Sequence, residues 1–486
     1  MAFRPEPLGP GAVLFRGLEA VFRGNADLIK VAEIEPQTFW TKGTAADAVP
    51  SGRSEELEAI AALPQRKLTH GVGYPLGGSI CDHDVHAGEF RRWTLGLGSP
   101  WTSEHLSLID LAGARGVRSC GFLMPPLQTE ASAELAAGNI VRRARALGAP
   151  LAFETGVNYF PMRSFEMPDG AFFATVAESS DSGILLDRNN LWVNEKNGRA
   201  RVDDVLKALP LERVWEIHLA GAAFEHGYWL DAHSGGVDAD LMRLAEDVVP
   251  ELPNLGAVIF EIAPGWYPRF GVTAFLREME RINRLWETSK RLPRPRSPAG
   301  PRALGPAPSP LAWEGRLARR LLPEADRPPG AGDPRFDASD QPAFALYAEL
   351  IASFRRGAIV DMLPNATRLM LMTTGEACLR ELLDRYFATS APSLHPADEA
   401  LAFCRFLESE PAHAPGVEDM LTFEAALVEA AADDRVVRIE VRKDIEAMLT
   451  DMAAGRLPGP SSDRPPTWVE IGVSPTPFVR EIGALT

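Results

Sequence analysis

Short apolar segments alternate with helical segments through residues 1–290, and this alternation restricts the fold of the chain more than any other feature. Alternating strands and helices predict a parallel sheet covered by helices, and a stretch of this length suits a single (β/α)8 TIM barrel of α/β class. A doubly wound open sheet is the alternative. The predicted strands lie in the segments LIKVAEIE, KLTHGVG, SEHLSLI, LAFETGV, GILLDRNNLW, RVWEIHLAG and GAVIFEIAP.

A proline-rich segment divides the chain, because residues 291–340 contain 11 of its 41 prolines. Proline at this density favours extended polyproline II structure, which predicts a semi-rigid linker between residues 1–290 and residues 341–486. Within the linker, residues 311–322 (LAWEGRLARRLL) are predicted to form one short amphipathic helix. Residues 341–486 have helical patterns and predict a smaller, mainly α domain, with a strand near WVEIGVSP as the one exception.

The composition excludes several classes of partner. The chain has 66 acidic against 50 basic side chains in 486 residues, a net charge of −16 that repels nucleic-acid phosphates. There is neither a run of about 18 apolar residues nor a signal peptide, and the four cysteines have no CxxC spacing. We therefore expect a cytoplasmic protein with reduced thiols that binds neither nucleic acid nor membranes.

Several predicted strands end in a side chain that can bind a metal ion. The carboxyl ends of barrel strands meet at one mouth, so residues scattered over the sequence can meet there. Asp231 and His233 are two positions apart and face the same side of an extended segment. One ion takes about four to six donors, so this set predicts about two or three ions. The nine candidates are His70, His105, Glu154, Asp187, Asn190, His218, Asp231, His233 and Glu261.

The types of donor atom limit which metals could bind, but they do not determine the metal or the reaction. Mixed imidazole and carboxylate donors suit iron, although zinc and manganese also accept them. Several functions remain open at this point, among them a metal-dependent hydrolase or phosphodiesterase with a hydroxide nucleophile, an isomerase acting on a small sugar, and a peptide-binding scaffold that has lost its metals.

Six motifs in this order resemble the multinuclear non-heme iron-dependent oxidative enzymes (MNIO): HGVG, SEHLSL, FLMPPLQTE, LLDRNNLWVN, EIHLAG and LDAH. The resemblance covers roughly residues 8–270. Members of that family are (β/α)8 barrels with two or three irons that use O2 to modify residues, often cysteines, of ribosomally made precursor peptides, as in methanobactin biosynthesis. The resemblance implies Fe(II)/Fe(III) as cofactor, O2 as co-substrate and a precursor peptide as partner.

The family's ligands fall on the nine candidates, with Asp187 and Asn190 as alternatives for one position, and the resemblance implies catalytic roles for Asp231, Glu154 and His105. The same nine also resemble the three-metal site of the apurinic-site endonucleases among the xylose isomerase-like barrels, with Asn190 in place of a histidine. This second likeness keeps the hydrolase alternative open.

Three positions depart from the MNIO pattern. Members often have asparagine where this chain has Thr155, histidine where it has Ala222, and Glu-Asn where it has Gln37 and Thr38. These changes affect the residues around the ligands and the substrate contacts more than metal binding itself.

Residues 345–435 resemble the helical partner proteins that help these oxidases to present the precursor peptide. The partner would here be fused in the same chain, which would raise the local concentration of bound peptide near the barrel. The apolar stripe of Leu379, Leu382, Leu383 and Phe387 could dock a leader peptide, but its helical spacing favours a core position.

Overall fold

A computed structural model describes residues 3–45, 48–81, 84–289, 305–330, 336, 338–410, 416–459, 462–473 and 477–483. Its strands are β1 (Gly9–Leu14), β2 (Val31–Ile34), β3 (Trp40–Thr41), β4 (Ser51–Gly52), β5 (Arg66–Gly71), β6 (Thr102–His105), β7 (Leu108–Gly113), β8 (Gly116–Met124), β9 (Leu151–Glu154), β10 (Gly183–Asp187), β11 (Val214–Ala220), β12 (Ala222–Glu225), β13 (Tyr228–Asp231), β14 (Ala257–Glu261), β15 (Val437–Lys443), β16 (Asp463–Gly472) and β17 (Phe478–Gly483).

Helices cover the strands of the first half and make up most of the second half. They are α1 (Glu19–Gly24), α2 (Ser54–Ala61), α3 (Asp84–Leu97), α4 (Glu130–Leu147), α5 (Asp169–Ser180), α6 (Arg188–Lys196), α7 (Val202–Ala208), α8 (Ala239–Val248), α9 (Tyr267–Glu287), α10 (Pro310–Leu321), α11 (Gln341–Met362), α12 (Pro364–Thr374), α13 (Glu376–Thr389), α14 (Pro396–Leu407), α15 (Val417–Asp433) and α16 (Ile445–Ala453). None of the helices so described is both long and apolar enough to span a membrane.

Eight parallel strands close into a barrel. Strands β1, β2, β5, β6, β9, β10, β11 and β14 pair in chain order, and β14 returns to pair with β1. The predicted TIM barrel is thereby confirmed, and the open doubly wound sheet is wrong. Short hairpins leave the carboxyl ends of two strands: β7 and β8 follow β6, while β12 and β13 follow β11.

The barrel interior is built in layers, because alternate residues of each strand point inwards. The apolar layer contains Val13, Val31, Leu68, Trp101, Ala152, Leu185, Trp215, Ala257 and Ile259. Two positions further along five strands, the same face carries an imidazole or a carboxylate: Glu33, His70, Glu154, Asp187 and Glu261. The period of two therefore places these polar groups together, one layer above the apolar floor and at the mouth of the barrel.

The C-terminal region is mainly helical, as predicted, but its sheet is larger than predicted. The strand expected near WVEIGVSP is β16, and it pairs in antiparallel fashion with both β15 and β17. The stripe on α13 belongs to the core of this region: Leu383 is buried, and Leu379, Leu382 and Phe387 pack against the same cluster.

The helix predicted at residues 311–322 is α10, and it packs on the barrel side of the molecule. Trp313 is 1% exposed, its ring centroid lies 4.9 Å from that of Phe160, and its Nε1 donates to the carbonyl of Pro125 at 3.0 Å. The core cluster of the barrel continues through α10 into the first half of α11. Residues 291–304, 331–335 and 337 of the predicted linker lie outside the described residues. The boundaries at 290 and 340 stay a prediction.

Candidate metal centre

Two imidazoles converge on one carboxylate oxygen. Nε2 of His70 and Nε2 of His105 each lie 3.3 Å from Oε2 of Glu154. The register of the sheet produces this meeting, because His105 on β6 is directly opposite Glu154 on β9. The other ring nitrogens are held from outside: Nδ1 of His70 lies 2.8 Å from Oγ of Ser103, and Nδ1 of His105 donates to the carbonyl of Gly71 at 3.0 Å. Both Nε2 atoms are thereby turned towards a shared point, as in metal-binding histidines.

His218 stands between two carboxylates in the barrel interior. Its Nε2 lies 3.0 Å from Oε1 of Glu33, and its Nδ1 lies 3.2 Å from Oε1 of Glu261. All three residues are buried. Their ligand atoms lie within 4.8 Å of one another, which is close enough to share an ion.

A third group joins the first two. Glu154, Asp187 and His218 also have ligand atoms within 4.8 Å of one another, and Asp187 is directly opposite His218 in the sheet. Oδ1 of Asp187 caps α6 by accepting the N–H of Asn190 at 2.6 Å. The side-chain amide of Asn190 donates to Oε1 of Glu154 at 3.2 Å. Glu154 thus links two groups, which supports more than one ion in a connected centre.

Asp231 and His233 form the outer edge of the centre. Nε2 of His233 lies 3.1 Å from Oδ1 of Asp231 and 3.5 Å from Oε2 of Glu261. Asn189 donates to Oδ1 of Asp231 at 2.6 Å. His233 has a φ of 48°, a left-handed backbone conformation that non-glycine residues adopt at a cost and that is common at functional sites. The side chains of His233, Asp231 and His105 are 33%, 18% and 17% exposed, so the cluster is accessible to solvent on this side.

The residues fit a set of bound cations because several buried polar atoms, although they lie close to oppositely charged groups, make no hydrogen bond of ordinary geometry with the described residues. Buried polar groups are normally paired, so such a concentration of unpaired acceptors calls for another explanation. Positive ions among them would satisfy the oxygens and the imidazole lone pairs together. The atoms are both carboxylate oxygens of Glu33, Oε2 of Glu154, Oδ2 of Asp187, Oδ1 of Asn190, Oε2 of Glu261 and both ring nitrogens of His218.

The structure brings all nine predicted residues together at the barrel mouth, and their role as metal ligands stays a prediction. Sequence reasoning missed Glu33 and Glu35 in the strand segment LIKVAEIE. Glu33 is in phase with Val31, which faces the barrel interior, so the period of two in that segment was the available signal. Burial, with the charges of Glu261 and Glu33, raises the pKa of Glu35 to about 7.

Without metal, protons must compensate the crowded charges. Burial raises the pKa of Glu154, and burial together with Asp231 raises that of Asp187 well above its usual value. Burial opposes the charge of His105, but Glu154 and Glu104 outweigh it and raise the pKa of this imidazole to about 10. Glu261 shifts the other way, since His218 and His233 overcome its burial and lower its pKa.

We expect opposite pH trends for the stability of the metal-free protein and for its metal affinity. His105 binds its proton more tightly in the folded than in the unfolded chain, so its contribution to stability is complete below pH 6.5 and is lost as the pH rises towards 10. The raised carboxyl pKa values of Glu154 and Asp187 act in the same direction, because folding then favours their protonated forms. Metal ions displace these protons, so metal affinity rises over the same range.

Denaturant titrations of metal-free protein at several pH values, with parallel metal titrations, measure both trends. Equal affinity at pH 6 and pH 8 would contradict the protonated cluster. The lowered pKa of Glu261 stabilises the folded protein at neutral pH, and this contribution is lost only when the pH falls below the ordinary carboxyl range. It therefore does not affect the stability trend expected above pH 6.5.

Comparison with protein families identifies the barrel. The model of the family described as "RiPP precursor modification enzyme MbnB/TglH/ChrH" matches residues 23–287, which is more than half of the chain. The chain belongs to this family. RiPP precursor modification enzymes act on ribosomally synthesised peptides, and the match confirms the resemblance to the MNIO enzymes seen in the sequence motifs.

The chain is also similar to curated relatives and to solved structures over part of its length. A UPF0276 protein of Anaeromyxobacter sp. (strain Fw109-5) is 29% identical over 227 residues, which are 46% of this chain and 79% of the relative. A UPF0276 protein of Chromobacterium violaceum is 33% identical over 180 residues, 37% of this chain and 64% of the relative. Among solved structures, an L-ribulose 3-epimerase is 15% identical with a TM-score of 0.37 and covers 60% of this chain and 96% of its own.

Proposed function

We propose that this member of the RiPP precursor modification family is a multinuclear iron enzyme that uses O2 to oxidise a residue of a precursor peptide, with cysteine as the first candidate. The observation that carries the proposal is the convergence of imidazoles and carboxylates from separate barrel strands in one buried cluster with unpaired acceptor atoms. Such a mixed donor set accommodates both Fe(II) and Fe(III).

The three overlapping groups would hold about two or three ions between them. One comprises His70, His105 and Glu154, a second Glu33, His218 and Glu261, and a third Glu154, Asp187 and His218. Asn190 lies beside Glu154 in the interior, and Asp231 and His233 complete the set at its rim. Bound iron would accept electrons from the substrate and would lower the pKa of a thiol that binds to it.

The residues of the centre divide into a buried inner part and an accessible outer edge. Glu33, His70, Asp187 and His218 are at most 1% exposed, and this burial excludes water from the inner groups. Among the described residues, the exposed edge of the centre offers a peptide side chain a route of approach. Asp231 lies at that edge with Oδ1 held by Asn189, which leaves Oδ2 placed to accept a proton from the incoming side chain.

The C-terminal helical region is proposed to act as a fused partner that presents the peptide. This proposal is supported by a contact between the start of α14 and the barrel. Nζ of Lys42, in the segment that connects barrel strand β2 to α2, lies 3.2 Å from Oδ2 of Asp398. Leu394 lies beside Gly73 in the loop that follows β5. Both loops leave carboxyl ends of barrel strands, so a peptide held on this region would be near the mouth, and the covalent link would raise its effective concentration.

The test combines metal analysis with O2 consumption. Full-length protein from iron-supplemented cells is expected to contain about two or three irons per chain. In the presence of a synthetic cysteine-containing peptide, chosen from any short reading frame found beside the gene, it is expected to consume O2 and change the mass of the peptide. Peptide in which serine replaces each cysteine is the matched control.

Zinc or manganese as the retained metal, with no O2 consumption, would contradict the proposal. Cleavage of bis-p-nitrophenyl phosphate by the zinc-loaded protein without O2 would instead support the metal-dependent hydrolase or phosphodiesterase alternative.

A further inference from the structure

Tyr347 extends from the C-terminal region into the wall of the barrel. It lies on α11 and is fully buried. Its ring stacks on Phe160 with centroids 5.1 Å apart and meets Tyr159 edge-on at 5.4 Å. Its hydroxyl accepts a hydrogen bond from the backbone N–H of Tyr159 at 3.4 Å. A residue of α11 therefore fixes both the backbone and the ring of Tyr159, in the loop that follows barrel strand β9.

Tyr159 in turn holds the rim of the metal centre. Its hydroxyl accepts the backbone N–H of Asp231 at 3.3 Å, and its ring meets that of Tyr228 edge-on at 6.0 Å. Tyr228 and Asp231 are the two ends of β13. Tyr159 thereby contacts this strand at both ends.

The hairpin that carries Asp231 needs such support. Strands β12 and β13 form a two-stranded sheet, and isolated two-stranded hairpins are marginally stable. Asp231 pairs with Ala222 at the open end of the hairpin. His233 lies two positions further on, and its own backbone is in a left-handed conformation. The position of both side chains thus depends on groups outside the hairpin.

We propose that Tyr347 is a positioning residue for the metal centre, acting through Tyr159 on Asp231 and His233. This inference rests on the proposed metal-binding function and adds to it. The helical region does more than carry substrate: by way of α11 it completes the support of the outer ligands. Residues around metal ligands typically change metal affinity by about 10- to 100-fold when they are removed, and we expect an effect of that size here.

The experiment is an anaerobic titration of metal-free, full-length protein with Co(II), followed by the visible absorption of the bound ion. Tyr347→Ala is expected to bind the last ion about 10- to 100-fold more weakly and to lose its share of the absorption, while the ions on the inner groups remain. Tyr159→Phe removes only the hydroxyl that accepts from Asp231 and is expected to shift the same part of the spectrum. This smaller change keeps the test decisive where Tyr347→Ala fails to fold.

The matched control is Phe344→Ala on the same helix. Phe344 is 5% exposed, and its ring packs 5.0 Å from that of Phe160, so its loss removes comparable apolar contact. We expect this variant to lower thermal stability and to leave the Co(II) titration unchanged. Wild-type titration and spectrum in both tyrosine variants would overturn the inference, as would equal loss in Phe344→Ala. Absence of Co(II) binding by the wild type would overturn the metal centre itself and with it the inference.

Discussion

Glu154→Gln is expected to abolish loading of the metal centre and with it the turnover of peptide. Oε2 of Glu154 is approached by Nε2 of both His70 and His105, and the carboxylate belongs to two of the three candidate groups. The amide keeps the shape of the side chain and removes the charge. Since even residues behind the ligands change metal affinity by about 10- to 100-fold, loss of a shared ligand should cost at least about 100-fold in affinity.

The same substitution should leave the metal-free protein folded. Burial raises the pKa of Glu154, so the charged form of this carboxyl is unfavourable when no cation is present. A neutral amide resembles the protonated carboxyl that burial favours. We therefore expect an unchanged or higher melting temperature for the metal-free variant, together with loss of the increase that bound metal gives the wild type.

Metal content by mass spectrometry and thermal unfolding with and without Fe(II) measure these two effects. Glu278→Gln is the matched control, because Glu278 is 5% exposed, pairs with Arg281 on α9 and belongs to none of the three candidate groups. The control should load metal as the wild type does. Full iron content in Glu154→Gln would remove this residue from the ligand set.

The regular part of the fold could be predicted from the sequence because strand periodicity and barrel geometry act on the same residues. An inward-facing apolar residue followed two positions later by a histidine or carboxylate, as in Leu68 and His70 or Leu185 and Asp187, determines both the strand face and the site. β1 was missed, since its segment GPGAVL contains two glycines and a proline, which normally argue against a strand. The strand that contains Glu33 was predicted, but Glu33 was not recognised as one of its inward-facing polar residues.

The supports around the ligands could not be predicted because they come from tertiary contacts without a sequence period. Asn189 contacts Asp231 across 42 positions, and Tyr347 contacts Tyr159 across 188. The packing of α10 was hidden by composition, since proline on both sides of the helix is typical of a solvated linker. Its hydrogen-bond partner on the barrel, the carbonyl of Pro125, is 188 residues away from Trp313.

Trp313→Ala is expected to destabilise the protein by about 3–5 kcal/mol, the usual cost of truncating a large buried aromatic residue. Trp313 is 1% exposed and packs against Phe160 and the guanidinium of Arg163, whose Cζ lies 4.6 Å from the ring. Its loss also leaves the carbonyl of Pro125 without the indole donor. A domain has about 5–15 kcal/mol of stability in total, so this change should be visible as a large shift of the denaturation midpoint.

Leu311→Ala is the matched control for this prediction, because Leu311 lies on the same helix and is 66% exposed. Its cost should stay within about 0.5 kcal/mol, as for most surface substitutions. Urea denaturation followed by far-ultraviolet circular dichroism compares the two variants without depending on tryptophan fluorescence. If α10 is part of the barrel's core, the difference between them will be several kilocalories per mole. If the two variants unfold at the same urea concentration, α10 is only tethered to the barrel, and residues 291–340 are the linker that their proline content predicts.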